Sequence, residues 1–85
     1  MQTRVAVMSI IVEKNETVQA LNTLLSEYGE YIIGRMGIPY KARGINIISI
    51  AIDAPQDKIS TLSGKIGALS GISVKTAFSS VISDE

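Results

Sequence analysis

The segment TRVAVMSIIV, residues Thr3–Val12, is long, rich in β-branched side chains and almost free of charge. Such a run predicts a strand at the centre of a sheet, where both faces are covered. The segment INIISIAI, residues Ile45–Ile52, has the same character and predicts a second central strand. These two strands are the core of the predicted fold, and the remaining elements are assigned around them.

Two helices are predicted from apolar residues that recur every three or four positions. The first follows Glu13, with Asn15 as its expected cap and Gly29 at its end. The second opens near Pro55, whose fixed φ suits the first turn of a helix, and stops at Gly71. Each helix has one apolar stripe and one polar side, which is typical of a helix that covers a sheet.

Two further strands are predicted at Tyr31–Met36 and Ile72–Ser79, and Gly37–Gly44 is predicted to be a loop because it contains Gly and Pro. The resulting order, β-α-β-β-α-β, predicts an α+β fold: a ferredoxin-like sandwich with an antiparallel four-stranded sheet and both helices on one face. We expect a single domain over residues 1–85. In this plan the first and third strands lie in the middle, as their composition requires.

Two helices cover only one face of such a sheet, so the other face is expected to be open in a single chain. The sequence is 46% hydrophobic and only 19% charged over 85 residues, which favours a covered patch over a normal core with scattered exposed side chains. A contiguous apolar patch of this kind indicates an interface. We therefore predict self-association, as a homodimer or a higher oligomer. The predicted interface residues are Val5, Val7, Ile11, Ile45 and Ile47.

Composition also argues against several functions. The chain has no Cys and no His, so we expect no metal site, no cofactor and no thiol or histidine catalysis. Glu13 and Asp53 end antiparallel neighbouring strands and are expected too far apart to act as a catalytic pair, so no enzyme is predicted. A formal net charge of zero argues against direct nucleic-acid binding. No apolar run is long enough for a membrane span, and we expect a cytoplasmic protein.

Several segments resemble one protein family. The segments are IIVE at Ile10–Glu13, GRMGIP at Gly34–Pro39, and LSGKIGALSGISVK at Leu62–Lys75. They resemble small bacterial proteins described as iron-only hydrogenase system regulators. The resemblance implies an ACT-like fold, similar to the C-terminal regulatory domain of nickel-responsive repressors, and a regulatory role. Those repressors bind metal through His and Cys, so the resemblance does not extend to their metal site.

Four residues around the predicted loop are candidates for binding an effector or a protein partner: Arg35, Tyr40, Lys41 and Arg43. Arginine makes bidentate contacts with carboxylates and phosphates, so an anionic metabolite or acidic groups of a partner would suit them. The alternative is a solvated loop whose charges only keep a strand end soluble.

Gly64 and Gly67 lie one turn apart in the predicted second helix, where each glycine costs about 1 kcal/mol relative to alanine. We expect them to permit close packing of that helix on the sheet, or on a helix of another subunit. Taken together, the sequence predicts a non-catalytic, homo-oligomeric regulatory or ligand-sensing module. The alternative is a structural protein–protein interaction subunit that binds no small molecule.

Overall fold

The computed structural model describes residues 2–83, and these contain strands and α-helices in the order β-α-β-β-α-β. Short 3-10 turns lead into α1, β2 and β3. The bounds of the strands and helices, in chain order, are β1 Thr3–Val12, α1 Val18–Glu27, β2 Ile32–Tyr40, β3 Ile45–Ala54, α2 Gln56–Gly67 and β4 Ile72–Ser83.

The four strands form one sheet in the order β2-β3-β1-β4, and every neighbouring pair is antiparallel. In the central pair, Ile10 of β1 lies opposite Ile48 of β3. The predicted central positions of the two apolar strands are therefore confirmed. The predicted α+β sandwich, with both helices on one face of an antiparallel sheet, is confirmed as well.

Alternate residues of β1 and β3 face the two helices and form the core. Along β1 the side chains from Val5 to Val12 alternate strictly between exposed and buried. Burial of each large apolar side chain stabilises the fold by about 1.5–3 kcal/mol. The buried side chains of the strands and helices together therefore account for most of the stability of the fold. The large fully buried side chains are Met8, Ile10, Val12, Leu21, Leu25, Ile50, Ile52, Ile59, Leu62 and Ile66.

The prediction that Asn15 caps the first helix is wrong. A 3-10 turn at Asn15–Thr17 precedes α1, and no side chain caps either element. The Asn15 Oδ1 atom instead accepts a hydrogen bond from Asn46 Nδ2 at 3.3 Å. Thr17 is buried, and its hydroxyl donates to the carbonyl oxygen of Ser70 at 2.8 Å. The polar groups at this helix start are therefore used for tertiary contacts.

The prediction of a loop over Gly37–Gly44 is also wrong for its first half. Strand β2 continues to Tyr40, with Gly37 opposite Ile48 and Tyr40 opposite Ile45. Pro39 is tolerated because β2 is an edge strand, where one side of the strand makes no ladder hydrogen bonds. The connection to β3 is only the 3-10 turn Lys41–Arg43 and one glycine with a φ of 66°.

The expected close packing of Gly64 on the sheet is wrong. A Cβ atom added at Gly64 would meet nothing within 4 Å. At Gly67 the added atom would lie 3.5 Å from Val74 Cγ1, which is ordinary van der Waals contact. Packing within one chain therefore does not require either glycine. A helix contact between subunits at these positions stays a prediction.

Candidate functional site

The face of the sheet opposite the helices, called here the open face, is largely apolar and exposed to solvent. Val7 lies opposite Ala51, and Ile11 lies opposite Ile47, so the two central strands carry an apolar pair on each side of the Ser9–Ser49 pair. The exposed fractions are 42% for Val7, 41% for Ile11 and 39% for Ile47. Among the other predicted interface residues, Val5 is similarly exposed and Ile45 is half-buried.

The open face extends onto β2, which the sequence-based interface did not include. The register places Met36 opposite Ser49 and Ile38 opposite Ile47, and both Met36 and Ile38 are exposed. Tyr40 continues the same face and is about half exposed. A period of two in the sequence could have indicated this part of the open face, since it places Gly34, Met36, Ile38 and Tyr40 on one side of a strand. The glycines and the proline obscured the pattern.

Polar side chains are few on the open face, and the charged ones lie towards its margin. Asp53 is near the end of β3, opposite Val5, and Lys75 is on the edge strand β4, opposite Ser9. Ser9 and Ser49 lie opposite each other in the middle. A largely apolar surface with uncharged serines in the middle and charges near the rim resembles the usual anatomy of a protein–protein interface.

The four candidate binding residues do not form one cluster. Arg35 lies opposite the buried Ile50 and therefore faces the helices, where its Nη2 donates to Asn22 Oδ1 of α1 at 3.0 Å. Tyr40 lies on the open face instead. Lys41 and Arg43 belong to the short turn between β2 and β3. The loop prediction grouped these residues because it ignored the alternation of faces along a strand.

Two adjoining grooves lie on the helix side of the sheet, near α1 and the end of β2. Their volumes are about 230 and 290 Å³. They share Pro39 and Asn46 as a common wall. The first groove is lined by Val18, Asn22, Arg35, Gly37, Ile38, Pro39, Asn46 and Ile48. The second groove is lined by Asn15, Pro39, Lys41, Gly44, Ile45 and Asn46.

A family model of TM1266-like proteins, described as "Iron-only hydrogenase system regulator, putative", matches residues 4–76. This match spans most of the chain and includes β2, β3 and both helices in full, nearly all of β1 and the first part of β4. The chain belongs to this family. The resemblance noted from the GRMGIP and LSGKIGALSGISVK segments is thus confirmed.

Solved structures support the assignment to the TM1266-like family. The protein TM1266 from Thermotoga maritima is 32% identical, with a TM-score of 0.86, and the match covers 89% of this chain and 96% of that one. The ACT domain of a GTP pyrophosphokinase from Chlorobium tepidum is 22% identical, with a TM-score of 0.76, and the match covers 88% and 99% of the two chains. The latter similarity shows an ACT-like fold. No protein of curated function matched the sequence.

The described part of this TM1266-like protein contains no cluster of three or more metal-ligating side chains. The candidate carboxylates are separated as expected, because Asp53 lies opposite Val5 whereas Glu13 follows the other end of β1. None of the helices within residues 2–83 has the length and hydropathy needed to cross a bilayer. The open face and the pair of grooves are therefore the two surfaces with a recognisable binding character.

Proposed function

We propose that this TM1266-like protein is a non-catalytic regulatory module that works as a homo-oligomer, and that two copies associate through the open face. The observation that carries the proposal is the row of exposed apolar side chains across three neighbouring strands, Ile38, Ile47 and Ile11. Large contiguous apolar patches are uncommon on monomeric proteins and indicate interaction sites. The family assignment supports a regulatory role, and the ACT-like fold is compatible with it.

The area of the open face is sufficient for a stable dimer. Four strands about 4.8 Å apart and nine residues at about 3.3 Å each give roughly 600 Å² of flat surface per chain. This is comparable with the ~800 Å² per partner of a typical specific interface. If about 60% of the ~1,200 Å² total is apolar, the hydrophobic contribution at ~25 cal/mol/Å² is about 18 kcal/mol. That value exceeds the ~4–15 kcal/mol cost of association.

The charges on the open face favour a second copy of the chain as the occupant. Asp53 and Lys75 have opposite signs and lie at different margins of the face. A two-fold interface brings the same surface of both copies together, so each copy offers one acid and one base to the other. Two copies of the open face can therefore cover each other without leaving a net charge at the interface.

The experiment is a measurement of solution mass by light scattering at micromolar concentration. We expect at least twice the 9.1 kDa of one chain for the wild type. Val7→Lys places a charge in the apolar centre and is expected to give the mass of one chain. Gln19→Lys, an exposed position of α1 on the opposite side, is the matched control and should keep the wild-type mass. A wild-type mass of 9.1 kDa would contradict the proposal.

A purely structural interaction subunit without a small-molecule ligand is the competing function. The two can be separated by thermal unfolding, because a ligand that binds only the folded protein raises the melting temperature with its concentration. The paired grooves favour the ligand-binding alternative.

A further inference from the structure

We infer that the two adjoining grooves together bind one small organic dianion, with one acidic group at Arg35 and the other at Lys41. This inference deepens the proposed regulatory function by naming the class of effector. The proposed binding step uses groove residues of one chain and requires no second copy. Only its regulatory consequence rests on the proposed function.

Charge is the first argument for an anion. In the part of the chain that the structure describes, the charged side chains that line the grooves are Arg35 in the first and Lys41 in the second, and both are basic. No acidic side chain of residues 2–83 lines either groove to neutralise them. Two cations without local acids attract anions more strongly than the neutral overall charge of the chain suggests.

The second argument is the way in which Arg35 is held. Its Nη2 atom donates to Asn22 Oδ1 at 3.0 Å, which fixes the guanidinium against α1. Within residues 2–83, Nε and Nη1 of Arg35 donate to no acceptor, and the side chain is exposed. An arginine that is oriented by one contact and keeps other donors available is suited to bind a carboxylate or a phosphate.

The shape of the grooves sets the length of the ligand. Gly37 lies between Arg35 and Pro39 on the helix side, and a Cβ atom there would meet nothing within 4 Å, so the space is open. Four residues of strand from Arg35 to Pro39 span about 13 Å. Lys41 lies beyond Pro39, in the second groove. A compact anion would therefore contact only one of the two cations, whereas a chain with an acidic group at each end would contact both.

The common wall between the grooves is polar but neutral. Asn46 Nδ2 donates to Asn15 Oδ1 at 3.3 Å, and both amides line the second groove. Val18 and Ile48 supply apolar contacts in the first groove. This combination of an apolar floor, a few amides and two charged ends is typical of a small-molecule site.

The test is a titration of ¹⁵N-labelled protein, followed by amide chemical shifts, with acetate, inorganic phosphate, dodecanedioate and decane-1,10-diyl bisphosphate, the last two being long enough to span the strand from Arg35 to Pro39. We expect at least one of the two-ended dianions to bind with an affinity about tenfold higher, or more, than either compact anion. The reason is that the two-ended dianion contacts a second cation. Dodecanedioate and the bisphosphate distinguish carboxylate from phosphate ends. Equal affinities for two-ended and compact anions, or no binding of any of the four, would overturn the inference.

Three variants assign the binding to the grooves. Arg35→Gln and Lys41→Ala are each expected to reduce dianion affinity to that of the compact anions, with dispersed amide spectra that show an intact fold. Arg43 lies in the same turn as Lys41 but outside both grooves. Arg43→Ala removes the same charge as Lys41→Ala, and the affinity of this variant for the dianion should be unchanged. An equal loss in Arg43→Ala would indicate a diffuse basic surface and would refute a defined site.

The oligomeric proposal and the groove can fail independently. Val7→Lys should bind the dianion as the wild type does, because Val7 lines neither groove. Loss of binding in a folded Val7→Lys monomer would refute the claim that the site is complete within one chain. A monomeric wild type that still binds the dianion would refute the sheet-face dimer and leave the groove intact.

Discussion

Ser9 lies directly opposite Ser49 on the two central strands, in the middle of the open face, and opposite Lys75 of β4 on its other side. Ser9→Glu therefore separates the effect on association from the effect on folding. In one chain the new carboxylate faces Lys75, and such a cross-strand pair contributes about 0.2–1 kcal/mol. In a dimer the same carboxylate would be buried at the centre, where a charge is costly. We expect the mass by light scattering to fall to that of one chain.

The control for this prediction is Ser60→Glu, the same chemical change at an exposed position of α2 on the helix side. It should keep the wild-type mass. Urea unfolding of Ser9→Glu should show a folded chain with a cooperative transition. An unchanged oligomer in Ser9→Glu would exclude the centre of the open face from the interface.

Arg4 is predicted to stabilise the end of the sheet. Its Nη2 donates to the Ser79 carbonyl oxygen at 2.8 Å, its Nη1 donates to Gln56 Oε1 at 2.8 Å, and its guanidinium carbon is 5.0 Å from the centre of the Phe78 ring. These contacts link β1, β4 and the start of α2. Arg4→Met should lower the free energy of unfolding by about 1–3 kcal/mol, measured by urea denaturation. Gln56→Ala removes only one exposed hydrogen bond and should cost less than about 1 kcal/mol.

Gly71→Ala is expected to destabilise the turn before β4. Gly71 has a φ of 71°, and an added Cβ would lie 2.5 Å from Lys14 Cγ. Its carbonyl oxygen also accepts a hydrogen bond from the Glu13 amide at 2.7 Å, so the turn cannot shift freely. We expect a loss of about 1–3 kcal/mol in urea denaturation. Adding Lys14→Ala should restore part of this loss, because it removes the contacts with Cγ and Cδ but keeps the contact with Lys14 Cβ at 2.9 Å and the backbone strain.

Gly64→Ala is expected to stabilise the protein, because the glycine is exposed in α2 and its missing Cβ has open space. The expected gain is about 0.5–1 kcal/mol in the free energy of unfolding. The same variant tests the predicted helix contact between subunits. A fall in solution mass together with the gain in stability of the single chain would support that contact, and an unchanged mass would refute it.

Nickel and zinc are expected not to bind stoichiometrically. Both metals prefer nitrogen and sulfur ligands, and the chain contains neither His nor Cys. Isothermal titration calorimetry of the tag-free protein should show no tight site. The melting temperature of the protein should also be unchanged by either metal. A one-to-one complex at micromolar metal would contradict this expectation.

The parts of the fold that follow from local patterns were predicted well. Apolar residues recur in α1 at helical spacing, and this pattern indicates the buried face, which contains Leu21 and Leu25. The extent of β2 was not predicted, because Gly37 and Pro39 are usually loop residues and only pairing with β3 makes them strand residues. The role of Arg4 was missed as well, since its partners lie more than fifty residues away.

The amino-acid sequence determined the order of the elements, the two central strands and the excess of apolar residues, because these depend on composition and local periodicity. The three-dimensional structure decided which side chains share a surface. Arg35 and Tyr40 are five residues apart on β2, and an odd separation along a strand sends them to opposite faces. This assignment of side chains to opposite faces holds only when β2 is paired with β3 as far as Tyr40. The pairing depends on residues of β3 and not on the local sequence of β2. The open face and the grooves therefore exist only in the folded chain.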